Sequence, residues 1–183
     1  MRVVRLMMAA AAALLLWQSQ AAALDKENMI YMDLKYGRVV IQLFPDKAPN
    51  HVKRIKELTR QGFYDGVVFH RVIDGFMAQT GDPTGTGRGG SSLPDLKAEF
   101  NDMHHVEGIC SMARTSDPNS ANSQFFIMLA AAPHLDGHYT VWGKVIKGME
   151  FVHMIKKGNP ADNGMVENPD KIIKMRVAAD VDK

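Results

Sequence analysis

Apolar positions set the framework of this chain. Over 29–34 they alternate (Ile30, Met32, Leu34), and beyond Tyr36-Gly37 they alternate again through Val39, Ile41 and Leu43, the period of two strands facing one core. The pair predicts a β-hairpin. Pro49 suits a first helical turn, Val52, Ile55 and Leu58 recur at helical spacing, and Gly62 offers a C-terminal stop, so 49–61 predicts an amphipathic helix. Its other face carries Lys53, Arg54, Lys56 and Arg60 and reads as a solvated surface. Strands are predicted at 67–73, 77–80, 108–114, 124–129, 140–145 and 171–177, with Gly, Pro, Asn and Asp between them. A second helix over 149–157 turns Phe151, Val152 and Ile155 inward and stops at Gly158, after which 159–170 reads as surface loop. Eight strands, two helices and no alternating βαβ rhythm predict a mainly β fold, a closed eight-stranded antiparallel barrel capped by two α-helices. Closure is expected because it removes exposed strand edges.

Residues 1–23 stand outside this pattern. Arg2 and Arg5 precede an apolar run from Leu6 to Trp17, too short to cross a bilayer comfortably, and small residues at Ala21-Ala22-Ala23 follow. The segment reads as an export signal, leaving one domain over 24–183. Overall there are 22 lysines and arginines against 20 acids. Loss of the two signal arginines would bring the formal charge to zero, so nothing remains to attract nucleic acid generically. No membrane association is expected after cleavage. Cys110, the single cysteine, excludes an intrachain disulfide and reads as a small buried hydrophobe.

Several motifs could carry chemistry. Gly85-Thr86-Gly87-Arg88-Gly89-Gly90 satisfies G-x-G-x-x-G, but Ser91-Ser92-Leu93-Pro94 follows where a dinucleotide site needs a helix. A glycine-rich surface loop explains it better. His104-His105 has no zinc-type spacing around it, and adjacent histidines in a strand would face opposite ways, so neither metal nor other cofactor is expected. A Ser/His/Asp hydrolase stays open, because triads assemble in space, although no Gly-x-Ser-x-Gly elbow is present. Two segments are not explained by folding alone. One, 69–82, sets Arg71 among Phe76, Met77 and Gln79; the other, 111–128, contains Asn122-Ser123-Gln124-Phe125-Phe126-Ile127-Met128.

Phe-His-Arg-Val-Ile-x-Gly-Phe-Met-x-Gln-x-Gly-Asp, then Asn-Ser-Gln-Phe-Phe-Ile, then Leu-Asp-Gly and Gly-Lys-Val-x-x-Gly-Met, in that order from about 29 to 177, resemble the cyclophilins, and the direct passage from the first helix to Phe69 resembles their compact bacterial members. The resemblance implies a peptidyl-prolyl cis-trans isomerase acting on proline-containing polypeptides, with Arg71 as the essential cation. It implies a proline pocket of Phe76, Met77, Phe126 and Leu135, with Gln79 and Gln124 as polar members of the groove. Ala113, Arg114 and Thr115 would pair with the peptide, and Gly87 would border it. Two positions depart from the family pattern: His134 stands for a frequent tryptophan and Tyr139 for a frequent histidine. The first implies weakened cyclosporin binding. Taken singly, Phe76, Phe126 and Leu135 also read as ordinary core, and Arg71 as a surface ion pair. Export together with bacterial compactness implies the periplasm rather than secretion, a monomer is expected, and a proline-segment-binding chaperone is the alternative function.

Overall fold

The computed structural model describes residues 25–181. The expected export signal therefore lies outside the described residues. Eight strands form one sheet: β1 (Met29–Leu34), β2 (Gly37–Leu43), β3 (Arg71–Ile73), β4 (Met77–Thr80), β5 (Ile109–Met112), β6 (Phe125–Met128), β7 (Val141–Lys147) and β8 (Lys174–Val177). The helices are α1 (Pro49–Arg60), α2 (Met149–His153) and α3 (Ala178–Val181), with short 3-10 turns between elements. The predicted hairpin is β1–β2, in register Met32 opposite Val39. Among the described residues no helix is long and apolar enough to cross a membrane.

Every strand pair is antiparallel, in the order β3-β4-β6-β5-β7-β2-β1-β8. The sheet curls into a half-barrel and stays open between β3 and β8, which corrects the expected closed barrel. The reason lies in where the edge groups of 66–72 are satisfied. Residues 164–172 run past that edge irregularly, and the Phe69 N–H donates to Asp170 O, the Ile172 N–H to Val67 O, the Val166 N–H to His70 O and the Val72 N–H to Gly164 O. With those groups paired, the edge needs no strand partner. The same pairing shortens the expected strands 67–73 and 171–177 to β3 and β8.

Helix α2 ends earlier than its apolar spacing predicts. Beyond it the Lys156 N–H donates to the Asp170 carboxylate and the Gly158 N–H to Val72 O, so the chain turns to the sheet edge. On α1, Arg54 is buried, donating to Pro94 O at 2.7 Å and Asn122 O at 3.3 Å, so that part of the basic face is not solvated. The pattern predicts two helices, and α3 is the addition.

Alternation along the strands divides the buried residues into two clusters. Phe125, Ala78, Cys110 and Met112 face the main core with Trp142 and Tyr64, whose rings meet Phe125 edge-on at 5.3 and 5.6 Å. Met77, Ile109, Phe126, Met128, Leu135 and Val141 form the other cluster, against which Phe76, Ala113 and Tyr139 pack. Burial pushes the Cys110 thiol pKa up, consistent with an inert core side chain.

Candidate active site

The second face of the sheet carries a row of directly opposed residues across five strands: Arg71 faces Gln79, Gln79 faces Phe126, Phe126 faces Ser111 and Ser111 faces Val141. Period-two alternation places Met77 on the same face as Gln79, and the turn between β3 and β4, with Gly75 at φ 65°, brings Phe76 over its edge. A cavity of about 190 Å³ results, lined by Arg71, Phe76, Met77, Gln79, Ala113, Arg114, Phe126, Leu135 and Tyr139. Nine of the residues singled out from the sequence therefore meet in one pocket. Gly87, Thr115 and Gln124 line an adjoining cavity of about 500 Å³, which also includes Gln79, Ala113 and Arg114. His134 lines neither cavity. Its exposed ring stacks on Phe76 from outside, centroids 5.9 Å apart.

Arg71 is half-buried, and every oxygen it meets is neutral. Its Nη1 donates to Gln79 Oε1 at 3.1 Å, its Nε to the Asn163 carbonyl at 2.9 Å and its Nη2 to Asn163 Oδ1 at 3.0 Å. Burial lowers its pKa and Tyr139 opposes that shift, but a guanidinium stays protonated in proteins. Because a guanidinium only donates, its bond to Gln79 fixes that amide's orientation. Gln79 Nε2 then donates to Gln124 Oε1 at 2.9 Å, and Gln124 Nε2 to Gly87 O at 3.1 Å and Gly89 O at 2.8 Å. One polar chain thus runs from the cation to the glycine loop. Arg114 lies over the Tyr139 ring at 4.6 Å and donates to His138 O, which holds the pocket's outer wall.

Asn163 is the residue that sequence reasoning missed. It lies 92 positions beyond Arg71, in the stretch read as surface loop. Its φ of 49° is left-handed, a conformation that asparagine tolerates, and an Asn-Gly pair after a short turn was the only local signal.

The glycine loop does not serve phosphate. Its Gly87 and Gly89 N–H groups, with Thr84 N–H and Oγ1, converge on the buried Asp82 carboxylate. Burial alone would raise that pKa, but the donors from Gly89, Thr84 and Gly87 bring it to about 2. The cradle is filled by an internal anion.

A Ser/His/Asp sequence does assemble. Ser111 Oγ meets His105 Nε2 at 2.9 Å, and His105 Nδ1 meets Asp136 Oδ1 at 2.9 Å. Ser111 and the His105 side chain are wholly buried, however, so no substrate carbonyl reaches the hydroxyl. The arrangement braces the pocket instead: the His105 ring stacks near Phe126 at 6.3 Å, and Asp136 directly follows Leu135. The expectation that His104 and His105 face opposite ways also fails. Neither lies in a strand, and both rings reach Asp136.

Comparison with known proteins gives the same picture. The family model described as "Cyclophilin type peptidyl-prolyl cis-trans isomerase/CLD" matches residues 29–177. A probable peptidyl-prolyl cis-trans isomerase of Brucella suis is 54% identical over 171 residues, covering 87% of each chain. A peptidyl-prolyl cis-trans isomerase of Schizosaccharomyces pombe is 40% identical over 149 residues, 79% of this chain and 96% of the relative. Among solved structures, a Cryptosporidium parvum cyclophilin-type isomerase crystallised in the presence of the dipeptide Ala-Pro superposes with a TM-score of 0.74 at 30% identity, covering 81% of this chain and 98% of the other. A Hirschia baltica cyclophilin gives 0.78 at 29% identity, covering 86% and 76%. The match runs from the first residue of β1 to the last of β8, and the chain belongs to the cyclophilin-type peptidyl-prolyl cis-trans isomerase family, a family of isomerases.

Proposed function

We propose that this isomerase accelerates rotation about Xaa-Pro bonds by holding the proline ring against Phe76, Met77, Phe126 and Leu135 while Arg71 donates a hydrogen bond to the prolyl nitrogen. The observation that carries the reading is a half-buried guanidinium with only neutral partners, in one cavity with Phe76, Met77, Phe126 and Leu135. Amide resonance gives rotation a barrier of ~18–20 kcal/mol. In the twisted transition state the nitrogen regains its lone pair and becomes an acceptor, whereas the planar ground state has none. A donor aimed there stabilises the transition state selectively. Millisecond turnover requires about 10⁴- to 10⁵-fold acceleration, roughly 5.5–7 kcal/mol, within reach of one charge-assisted contact plus positioning. No covalent intermediate, metal or cofactor is needed.

The backbone of Ala113, Arg114 and Thr115 would align the peptide, and Gly87 and Gln124 would border its outer part. We also propose export to the periplasm with cleavage near Leu24, on the strength of the N-terminal pattern, and action as a monomer. His134, stacked outside the pocket, would leave cyclosporin with less apolar surface and no indole donor. The adjoining 500 Å³ cavity favours a second reading, in which the groove holds proline segments as a chaperone and catalysis is incidental. A protease-coupled isomerisation assay on a Xaa-Pro peptide, with mass spectrometry of the product, separates these. The proposal expects accelerated isomerisation of an intact peptide. No acceleration, with aggregation of a proline-free client suppressed equally by wild type and Arg71→Ala, would favour the chaperone.

A further inference from the structure

We infer that Asn163 is a positioning residue for Arg71, one that fixes the guanidinium as a carboxylate would while leaving its charge uncompensated; this rests on the proposed catalytic role of Arg71. Asn163 takes the Nε/Nη2 edge as a fork, with its backbone carbonyl at 2.9 Å and its side-chain oxygen at 3.0 Å. Gln79 takes Nη1, which also lies 3.9 Å from Met77 Sδ, a weak acceptor; three of the five donor hydrogens are thus bound to oxygen, and the terminal edge is left with no stronger partner than that sulfur until a substrate arrives.

The fork is delivered by a rigid route. Val72 on β3 gives its N–H to Gly164 O and takes the Gly158 N–H, so the loop clasps the strand beside Arg71. At Gly158 an added Cβ would lie 1.8 Å from Gly164 O, and at Gly164 it would lie 2.4 Å from Ile73 Cγ1. Neither glycine can carry a side chain without opening that clasp. Asn163 itself sits between a turn over Pro160–Asp162 and Gly164, in a left-handed conformation that aims carbonyl and amide the same way.

Neutrality of the fork is the functional point. An arginine is most often oriented by a carboxylate, and such pairs do occur here between Arg38 and Asp33, Arg60 and Asp180, and Arg176 and Asp65. At Arg71 the same two-pronged geometry is built from amide oxygens. A carboxylate there would compete with the weakly basic prolyl nitrogen for the guanidinium's charge.

Asn163→Asp and Asn163→Gly test this by NMR exchange spectroscopy of a Xaa-Pro peptide, which needs no coupling protease and runs across pH. Both residues accept left-handed backbone, so both variants are expected to fold, as circular dichroism at each pH would verify. Asn163→Gly keeps the carbonyl and loses Oδ1. It should lower kcat about three- to tenfold with KM little changed, the size of one partly solvated hydrogen bond. Asn163→Asp keeps the shape and adds charge. It should lower kcat about tenfold or more relative to wild type from pH 8 down to about pH 5, because Arg71 holds the new carboxylate below the usual Asp range and keeps it ionised throughout. Arg71, which Asn163 binds, and Tyr139, which acts on Arg71, are the ionisable groups facing this position; the exposed Asp162 is its chain neighbour. A wild-type kcat in both variants, or equal kcat in the two at every pH, would overturn the inference. Should Arg71→Lys be inactive while the Asn163 variants are normal, only the positioning claim fails; should Arg71→Lys be normal, the catalytic reading fails with it.

Discussion

Removal of the Glu99 carboxylate should be among the more damaging changes outside the pocket. Helix α1 begins with Ala48 at its cap, which offers no side-chain acceptor, and Pro49 has no N–H, so the first donors needing partners are those of Asn50 and His51. Glu99, 48 positions away from His51, supplies them: its oxygens accept from Asn50 N at 3.1 Å, His51 N at 3.0 Å, Asn50 Nδ2 at 2.7 Å and His51 Nδ1 at 2.6 Å. Its own N–H donates to Thr140 Oγ1, so the same residue ties the irregular 81–108 segment, and with it the outer cavity, to the helix. Glu99 is 15% exposed and the His51 side chain not at all, so little water can replace these bonds. A lost cap costs about 1 kcal/mol and a buried donor stripped of a charged acceptor about 1.5–3 kcal/mol, so Glu99→Ala should cost about 3 kcal/mol. At this chain length that lowers Tm by about 6–12 °C. Urea unfolding should show a lower midpoint at unchanged slope. Burial pushes the Glu99 pKa up, but the donors from His51 and Asn50 outweigh it and the net shift is downward from 4.5. A lowered folded-state pKa means stability present above pH 4.5 and lost as pH falls through the folded value, so the gap between wild type and Glu99→Gln should close on acidification. A cost below about 1 kcal/mol, or a gap that ignores pH, refutes the capping argument.

Three buried histidines make acid stability a second test. Burial lowers the pKa of His51, His70 and His105 below 6.5, so the unfolded chain binds more protons and stability falls as pH drops below 6.5. Urea midpoints that stay flat from pH 7 to about 5 would contradict this. His134→Trp should strengthen cyclosporin inhibition by adding an indole donor and apolar area beside Phe76. Unchanged inhibition constants would show that the outer ring does not govern the inhibitor. Ser111→Ala should leave the product peptide uncut in mass spectra, as wild type does, since the Ser111-His105-Asp136 chain is sealed from substrate. Cleavage by wild type that Ser111→Ala abolishes would restore the hydrolase reading.

The inner wall of the site was legible partly in short-range geometry and partly in the family resemblance. Arg71 and Gln79 oppose each other across a tight hairpin and alternation places Met77 on their face, whereas Phe126, 47 positions beyond Gln79, was assigned by the family motif that contains it. The loop-borne partner of Arg71 was not legible. Asn163 reaches Arg71 only because Val72 pairs with the loop, a long-range bond that no local pattern marks. Barrel closure failed for a related reason, since a run of β-type residues does not say whether its free edge meets a strand or the irregular 164–172 segment. Arg54 shows the limit of charge patterning: on the basic face of α1 it is nonetheless buried, because the carbonyls of Pro94 and Asn122 satisfy it. Likewise the triad residues are close in space, but only burial reveals that Ser111 cannot be reached.

The most direct test is the turnover of a Xaa-Pro peptide by Arg71→Lys. Lysine keeps the positive charge but cannot span the Asn163 fork and Gln79 while presenting a further donor to the prolyl nitrogen. With the variant folded, kcat should fall about 100-fold or more, roughly 2.7 kcal/mol of transition-state stabilisation, while KM changes little. A kcat within about twofold of wild type would show that the planar guanidinium is not what lowers the barrier.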